Sequence, residues 1–169
     1  ANARAFGGNL LPPFSKPASV GGAGTVFFKR SAQSYGDLVV DNNSQVQSTF
    51  RTPIRDLGGG TVVGLSPNTL LVDVFLSIAD IRFTDQWVVV DNDTSRVFRI
   101  VNNTTNTLFT DPGDGSLLPF AMAGGGPFRG AVVFDSLTVR NAAFYDAGDN
   151  YVIAPAGAVV QQTGGFMAS

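Results

Sequence analysis

The sequence predicts an all-β fold, and three observations predict it. All thirteen acidic residues are Asp, so Glu is absent, and nine of the eleven basic residues are Arg. Glu and Lys favour exposed helix, whereas Asp, Asn, Gly, Thr and Val do not. Twenty Gly and nine Pro in 169 residues add to the case against long helices. Short apolar runs alternate with clusters of Asn, Asp and Gly along the chain, which is how strands and tight turns are punctuated.

Taken in order, residues 1–24 read as an extended arm, because Leu11-Pro12-Pro13 and Gly21-Gly22-Ala23-Gly24 resist regular structure. Strands are expected at Thr25–Lys29, Leu38–Val40, Gly60–Val63, Leu70–Ala79, Gln86–Val90 and Val97–Val101. Further strands are expected at Thr107–Thr110, Gly130–Phe134, Leu137–Val139, Asn150–Ala154 and Ala158–Gln161. A turn or two of helix within Leu70–Ile81 is the weaker reading of that segment. Turns are expected at Asp41–Asn43, Asp56–Gly60, Asp91–Asp93, Asn102–Asn103 and Asp111–Gly115, where Asn, Asp and Gly supply left-handed backbone. Residues 25–154 are thus expected to form one all-β domain, followed by a nearly uncharged tail over 155–169.

One internal similarity refines the fold class. Tyr35-Gly36-Asp37-Leu38-Val39-Val40-Asp41-Asn42 parallels Phe134-Asp135-Ser136-Leu137-Thr138-Val139-Arg140-Asn141, and Trp87-Val88-Val89-Val90-Asp91-Asn92 is a weaker third copy. An inward Leu and Val two residues apart, then Asn at a turn, is one way of writing a coil of a parallel β-helix. An antiparallel strand entering a turn is written the same way. The expectation is a short parallel β-helix-like stack with a small antiparallel β-module inserted over about residues 70–130. The alternative is a β-sandwich or jelly roll.

Composition removes several function classes. Cys and His are both absent, which excludes disulfides, thiolate nucleophiles, Ser-His-Asp triads and the commonest transition-metal ligand. A net charge of −2 gives no basic footprint for nucleic acid. No apolar run approaches the roughly 20 residues that span a bilayer as helix. Only 14% of residues are charged, against about 25% in an average soluble protein. Such a surface is covered by neutral polar residues or hidden against neighbours. The opening Ala1-Asn2-Ala3-Arg4-Ala5 fits either a mature end left by signal cleavage or a fragment of a longer chain.

Gly21-Gly22-Ala23-Gly24-Thr25-Val26-Phe27-Phe28-Lys29, followed by Gln33-Ser34-Tyr35-Gly36-Asp37-Leu38-Val39-Val40-Asp41-Asn42, resembles a segment of Gly-rich parallel β-helix, adhesin-like repeat modules. Those modules belong to large secreted bacterial surface proteins. The stretch from Arg96 to Asp111 resembles the small β-module that often follows there, and Phe134–Arg140 its return to the helix axis. The resemblance touches about half the chain. It implies a repetitive extracellular or cell-surface protein, adhesin-like or matrix-like, with no active site.

Candidate chemistry is sparse. Asp91 with Asp93, Asp111 with Asp114, and Asp146 with Asp149 are the close carboxylate pairs. Asp111 and Asp114, in Asp-Pro-Gly-Asp-Gly-Ser, are the candidate Ca²⁺ ligands, with turn formation as the competing role. Otherwise no cofactor is expected. An Asp-based polysaccharide enzyme is the last alternative, and the chain is expected not to be an enzyme. Asn42, Asn92, Asn102 and Asn103 each begin a glycosylation triplet, which marks a surface loop in a glycosylating host. Fourteen Phe against three Tyr and one Trp point to core and dry interface rather than to a sugar-binding platform.

Leu11, Phe14, Phe27, Phe28, Tyr151, Ile153, Val159, Val160 and Phe166 are the candidate assembly residues, on apolar arms and strands. The terminal segment is expected either to dock into a neighbour's sheet or to pair within its own chain. In the first case, removing residues 1–20 or 155–169 leaves the core folded but blocks polymerisation. The expectation is therefore a self-associating structural protein of a fibre, sheath or surface layer. The alternatives are a carbohydrate-binding adhesive module, with polysaccharide as partner, and a viral capsid or tail component.

Overall fold

A computed structural model describes residues 24–42, 52–53, 56–74, 76, 83–120, 125–141, 143–154, 159–161 and 166–168. Within these lie β1 (Gly24–Phe28), β2 (Asp37–Asp41), β3 (Thr52–Pro53), β4 (Gly59–Ser66), β5 (Thr69–Val72), β6 (Trp87–Val90) and β7 (Phe98–Asn103). They are followed by β8 (Thr107–Thr110), β9 (Pro127–Val133), β10 (Ser136–Arg140), β11 (Phe144–Asp146), β12 (Tyr151–Ile153), β13 (Val159–Gln161) and β14 (Phe166–Ala168). Two single 3-10 turns, Pro112–Asp114 and Leu118–Phe120, are the only helical elements among the described residues. The all-β class is therefore correct. No helix there is long and apolar enough to cross a membrane.

The chain divides into two compact units, one of Ala1–Arg55, Val133–Gly148 and Ala154–Ser169, the other of Asp56–Val132 and Asp149–Ile153. The second unit is a closed antiparallel barrel. Its strands run β9-β4-β5-β8-β7-β6 around the ring, the β6–β9 ladder closes it, and β12 adds to β9 outside the ring. The period-2 pattern explains the closure. Val62, Leu70, Val72, Val88, Val90, Phe98, Ile100, Leu108 and Phe128 all turn inward and join one buried cluster. The long connections add Leu76, Phe83, Leu117 and Phe120 to that core. Phe120 meets Phe98 edge-on at 5.7 Å, and the Arg96 guanidinium lies 4.6 Å from the Phe120 ring centroid.

Two bulges adjust the ring. Register shifts between Val62 and Gly64 and between Ile100 and Asn102, leaving Val63 and Val101 exposed. The second shift carries β7 through Asn102 and Asn103, which the sequence marks as a turn. The reversal falls one residue later, where Thr104 N–H donates to Thr107 O at 2.8 Å. The strand expected over Leu70–Ala79 stops at Val72. There the Asp73 carboxylate accepts from Thr61 N–H at 2.7 Å and draws the chain across the ladder.

The first unit holds a four-stranded mixed sheet, β1-β2-β10-β13, and a parallel three-stranded sheet, β14-β11-β3. In the mixed sheet β2, β10 and β13 run parallel, with Leu38 beside Leu137 and Val40 beside Val139. Leu38, Val40, Leu137 and Val139 are buried. The two similar segments are thus in-register neighbours, and Asn141 takes the left-handed conformation at φ +57°. The weaker copy does not join them. Trp87–Val90 is β6 of the barrel, and only its ending, Asp91 and Asn92 in left-handed backbone, matches.

The architecture is accordingly a closed barrel plus a mixed sheet. The expected parallel pairing forms in β2-β10-β13 and in β3-β11-β14, but the chain as a whole is not a parallel β-helix. β1 lies antiparallel on β2, and every ladder of the barrel ring is antiparallel. A sandwich or jelly roll is not what forms either, because the β6–β9 ladder closes the sheet on itself. Except for Gly24, the expected N-terminal arm lies outside the described residues.

Candidate functional site

β1 is the outermost strand of the mixed sheet among the described residues. It pairs along its whole length with β2, from Gly24 opposite Asp41 to Phe28 opposite Asp37. Adjacent side chains leave opposite faces, so Phe27 and Phe28 cannot share one shelter. Phe27 is 55% exposed and Phe28 38%. The Phe27 ring rests over Gly36, where a Cβ would fall 2.7 Å from Phe27 Cζ. Gly36 also has φ +93°, a conformation that suits glycine. The ring is therefore seated on bare backbone with over half its surface in water.

Phe28 has a polar cover, the Arg30 guanidinium 5.7 Å from its centroid. Lys29 turns away from the strand and donates from Nζ to Ser34 O at 2.6 Å. Charge thus guards only the end of β1. Thr25 to Phe28 carry none, although exposed edges are usually blunted by charge or Pro.

The other expected assembly residues are placed differently. Leu11 and Phe14 lie outside the described residues. Val159 and Val160 belong to β13 and Phe166 to β14, whose backbones pair in parallel with β10 and β11 of the same chain. Tyr151 and Ile153 lie half-buried in β12, which adds to β9. The Tyr151 hydroxyl donates to Asn92 Oδ1 at 2.9 Å, and Arg129 sits 5.1 Å over its ring. The strands β12, β13 and β14 thus pair within their own chain.

Asp111 and Asp114 are neighbours, as the spacing implies, but three of their four carboxylate oxygens are engaged. Asp111 Oδ1 accepts from Gly113 N–H at 2.9 Å while Oδ2 pairs with the Arg99 guanidinium. Asp114 Oδ2 accepts from Arg99 N–H at 2.7 Å. The Gly113 amide and then Arg99 hold the Asp111 carboxyl below the usual carboxylate range. Among the described residues no cluster of three or more acidic or soft ligands could hold a metal. The arrangement is a turn fastened to β7 by an arginine.

A polar ladder flanks the apolar rungs of β2 and β10. Ser136 Oγ donates to Asp37 Oδ1 at 2.6 Å, Arg140 Nε to Asp41 Oδ2 at 2.8 Å, and Asn141 Nδ2 to Asp41 Oδ1 at 2.8 Å. Asp135 Oδ2 accepts from the backbone of both Tyr35 and Gly36. These contacts explain the recurrence of polar residues around the similar segments. They tie strands together. Asn42, the first glycosylation triplet, is fully buried at the end of β2 and so does not mark a surface loop.

Tyr145 on β11 is fully buried, its hydroxyl has no hydrogen-bond partner among the described residues, and burial raises its pKa. Sequence reading missed it along with β3, β11 and β14, none of which exceeds three residues. It also missed Arg129, which sequence alone does not separate from any other strand arginine. No family model, no curated protein and no solved structure matches this chain.

Proposed function

We propose that this chain is an extracellular structural module that associates with copies of itself through strand edges, and that it does not act by catalysis. The observation that carries the reading is the uncharged outer edge of β1 with Phe27 exposed upon it. A strand edge offers unpaired N–H and C=O groups, and an added strand satisfies them while covering the apolar rings. Charge at 14% of residues leaves little mutual repulsion between copies.

β13 forms the opposite margin of the same sheet. Joining β1 of one copy to β13 of the next leaves an open edge at each end and builds a filament. Joining β1 to β1 closes a two-fold dimer instead. A fibre, sheath or surface layer calls for the first arrangement. Its place outside the cell rests on the resemblance to adhesin-like repeat modules. Negative-stain microscopy of concentrated protein tests the proposal. Filaments or sheets are expected, and uniformly single particles contradict it.

A further inference from the structure

We infer that the barrel carries a binding cleft for a carboxylated sugar, independent of the β1 edge. The cleft has a volume of about 310 Å³ and is lined by Gly59, Gly60, Asn92, Pro127, Phe128, Arg129 and Asp149. That lies at the lower end of ligand-binding clefts, roughly 300–1,000 Å³. All of it belongs to the barrel unit.

Arg129 is the decisive group. It is exposed, and among the described residues no carboxylate pairs with it. Instead its guanidinium lies 5.1 Å over the Tyr151 ring. Tyr151 is held in turn by its hydroxyl, which donates to Asn92 Oδ1 at 2.9 Å. Asn92 is fixed in a turn at φ +57°. An otherwise floppy side chain is thus supported from below with its planar donor fork unanswered, which suits a carboxylate.

The neighbours narrow the ligand. Asp149 is exposed, and only its backbone N–H is committed, to Asp56 Oδ2 at 3.0 Å. Its carboxylate accepts hydrogen bonds from hydroxyls and repels anions, a doubly charged phosphate more strongly than a singly charged carboxylate. Gly59 and Gly60 contribute no side chains to the wall, and Pro127 adds an apolar surface. One anionic group beside several hydroxyls on an apolar ring describes a hexuronate unit. A neutral sugar leaves Arg129 unanswered, and a bare anion makes no use of Asp149.

Amide chemical shifts of the labelled protein, titrated with glucuronate and with trigalacturonate, provide the test. Saturable shifts at Asn92, Arg129 and Asp149 are expected, with Kd on the order of 1 mM or tighter for the trimer. Arg129→Met should weaken binding about tenfold or more with the spectrum otherwise unchanged. Tyr151→Phe, which frees the ring from Asn92, should weaken it less. The inference is overturned if neither ligand shifts these amides. Equal shifts with maltotriose, acetate or inorganic phosphate, or in Arg129→Met, overturn it too.

Discussion

Ser136 Oγ donates a 2.6 Å hydrogen bond to Asp37 Oδ1 across a sequence separation of 99 residues. It marks the register in which β2 lies parallel to β10, and the Arg140–Asp41 ion pair marks the other end of the same ladder. Between them Leu38, Val40, Leu137 and Val139 are buried. The apolar rungs supply most of the attraction and select the register, because a one-residue slip turns every rung outward, and the polar ends fasten it.

Acid should dissolve one part of this ladder. The hydrogen bond from Ser136, then Gln33 and the charge of Arg30, hold the Asp37 carboxyl below its usual value. A carboxylate with a folded pKa below its unfolded one stabilises above the unfolded value and loses that contribution as pH falls through the folded value. Ser136→Ala should therefore cost about 1–2 kcal/mol at neutral pH and markedly less once Asp37 is protonated. Urea unfolding at both pH values checks this, and an equal cost at the two contradicts it.

Gly130 is an irreplaceable position in β9, where a Cβ would fall 2.6 Å from Leu57 Cβ. Gly130→Ala should cost about 1–3 kcal/mol through overpacking. Gly64 is the control, because its nearest neighbour, Leu71 Cβ, stands 3.5 Å away. Gly64→Ala should be close to neutral. Thermal midpoints of the two variants read the difference, and similar values contradict the packing described.

Calcium should leave the protein unchanged. Arg99 already answers the Asp111 carboxylate and brings positive charge to the place where the cation would sit. Calcium modules outside cells bind at about 0.1–1 mM, so a thermal midpoint unmoved at about 10 mM is the expected outcome. A rise that Asp111→Asn abolishes contradicts it.

Removing residues 155–169 should destabilise the first unit rather than merely free it from partners. The deletion strips β13 from Leu137–Val139 and β14 from Phe144–Asp146. Hydrogen exchange is expected to show lost protection in β10 and β11 while the barrel stays protected. Unchanged protection of β10 and β11 returns the tail to the role of a free arm.

The sequence is informative where a β-prone run is bounded by turn residues. β8 falls on the expected Thr107–Thr110, and β1, β2, β6 and β10 lie within one or two residues of expectation. The strands β3, β11 and β14 were missed, and at two or three residues they establish no period. Yet β12 and β13, of three residues each, fall within one residue of the expected Asn150–Ala154 and Ala158–Gln161. Pairing is less legible still. Val88 and Val90 carry the same spacing as Leu38 and Val40, yet one pair lines a barrel and the other a parallel ladder. Partner and direction come from contacts across tens of residues, which a local signature does not contain. At the candidate edge, the neutral run Thr25–Phe28 was legible, and the ring of Phe27 over Gly36 was not.

Sedimentation velocity across a wide concentration range, for the unaltered chain and for Phe27→Lys, weighs assembly through β1 against a solitary module. Phe27 is 55% exposed and outside the barrel core, so the substitution should leave the fold intact by circular dichroism. The unaltered chain should shift to larger species as concentration rises, and Phe27→Lys should remain at the size of one chain. A single small species at every concentration for the unaltered protein, or identical association in the variant, contradicts assembly through this edge.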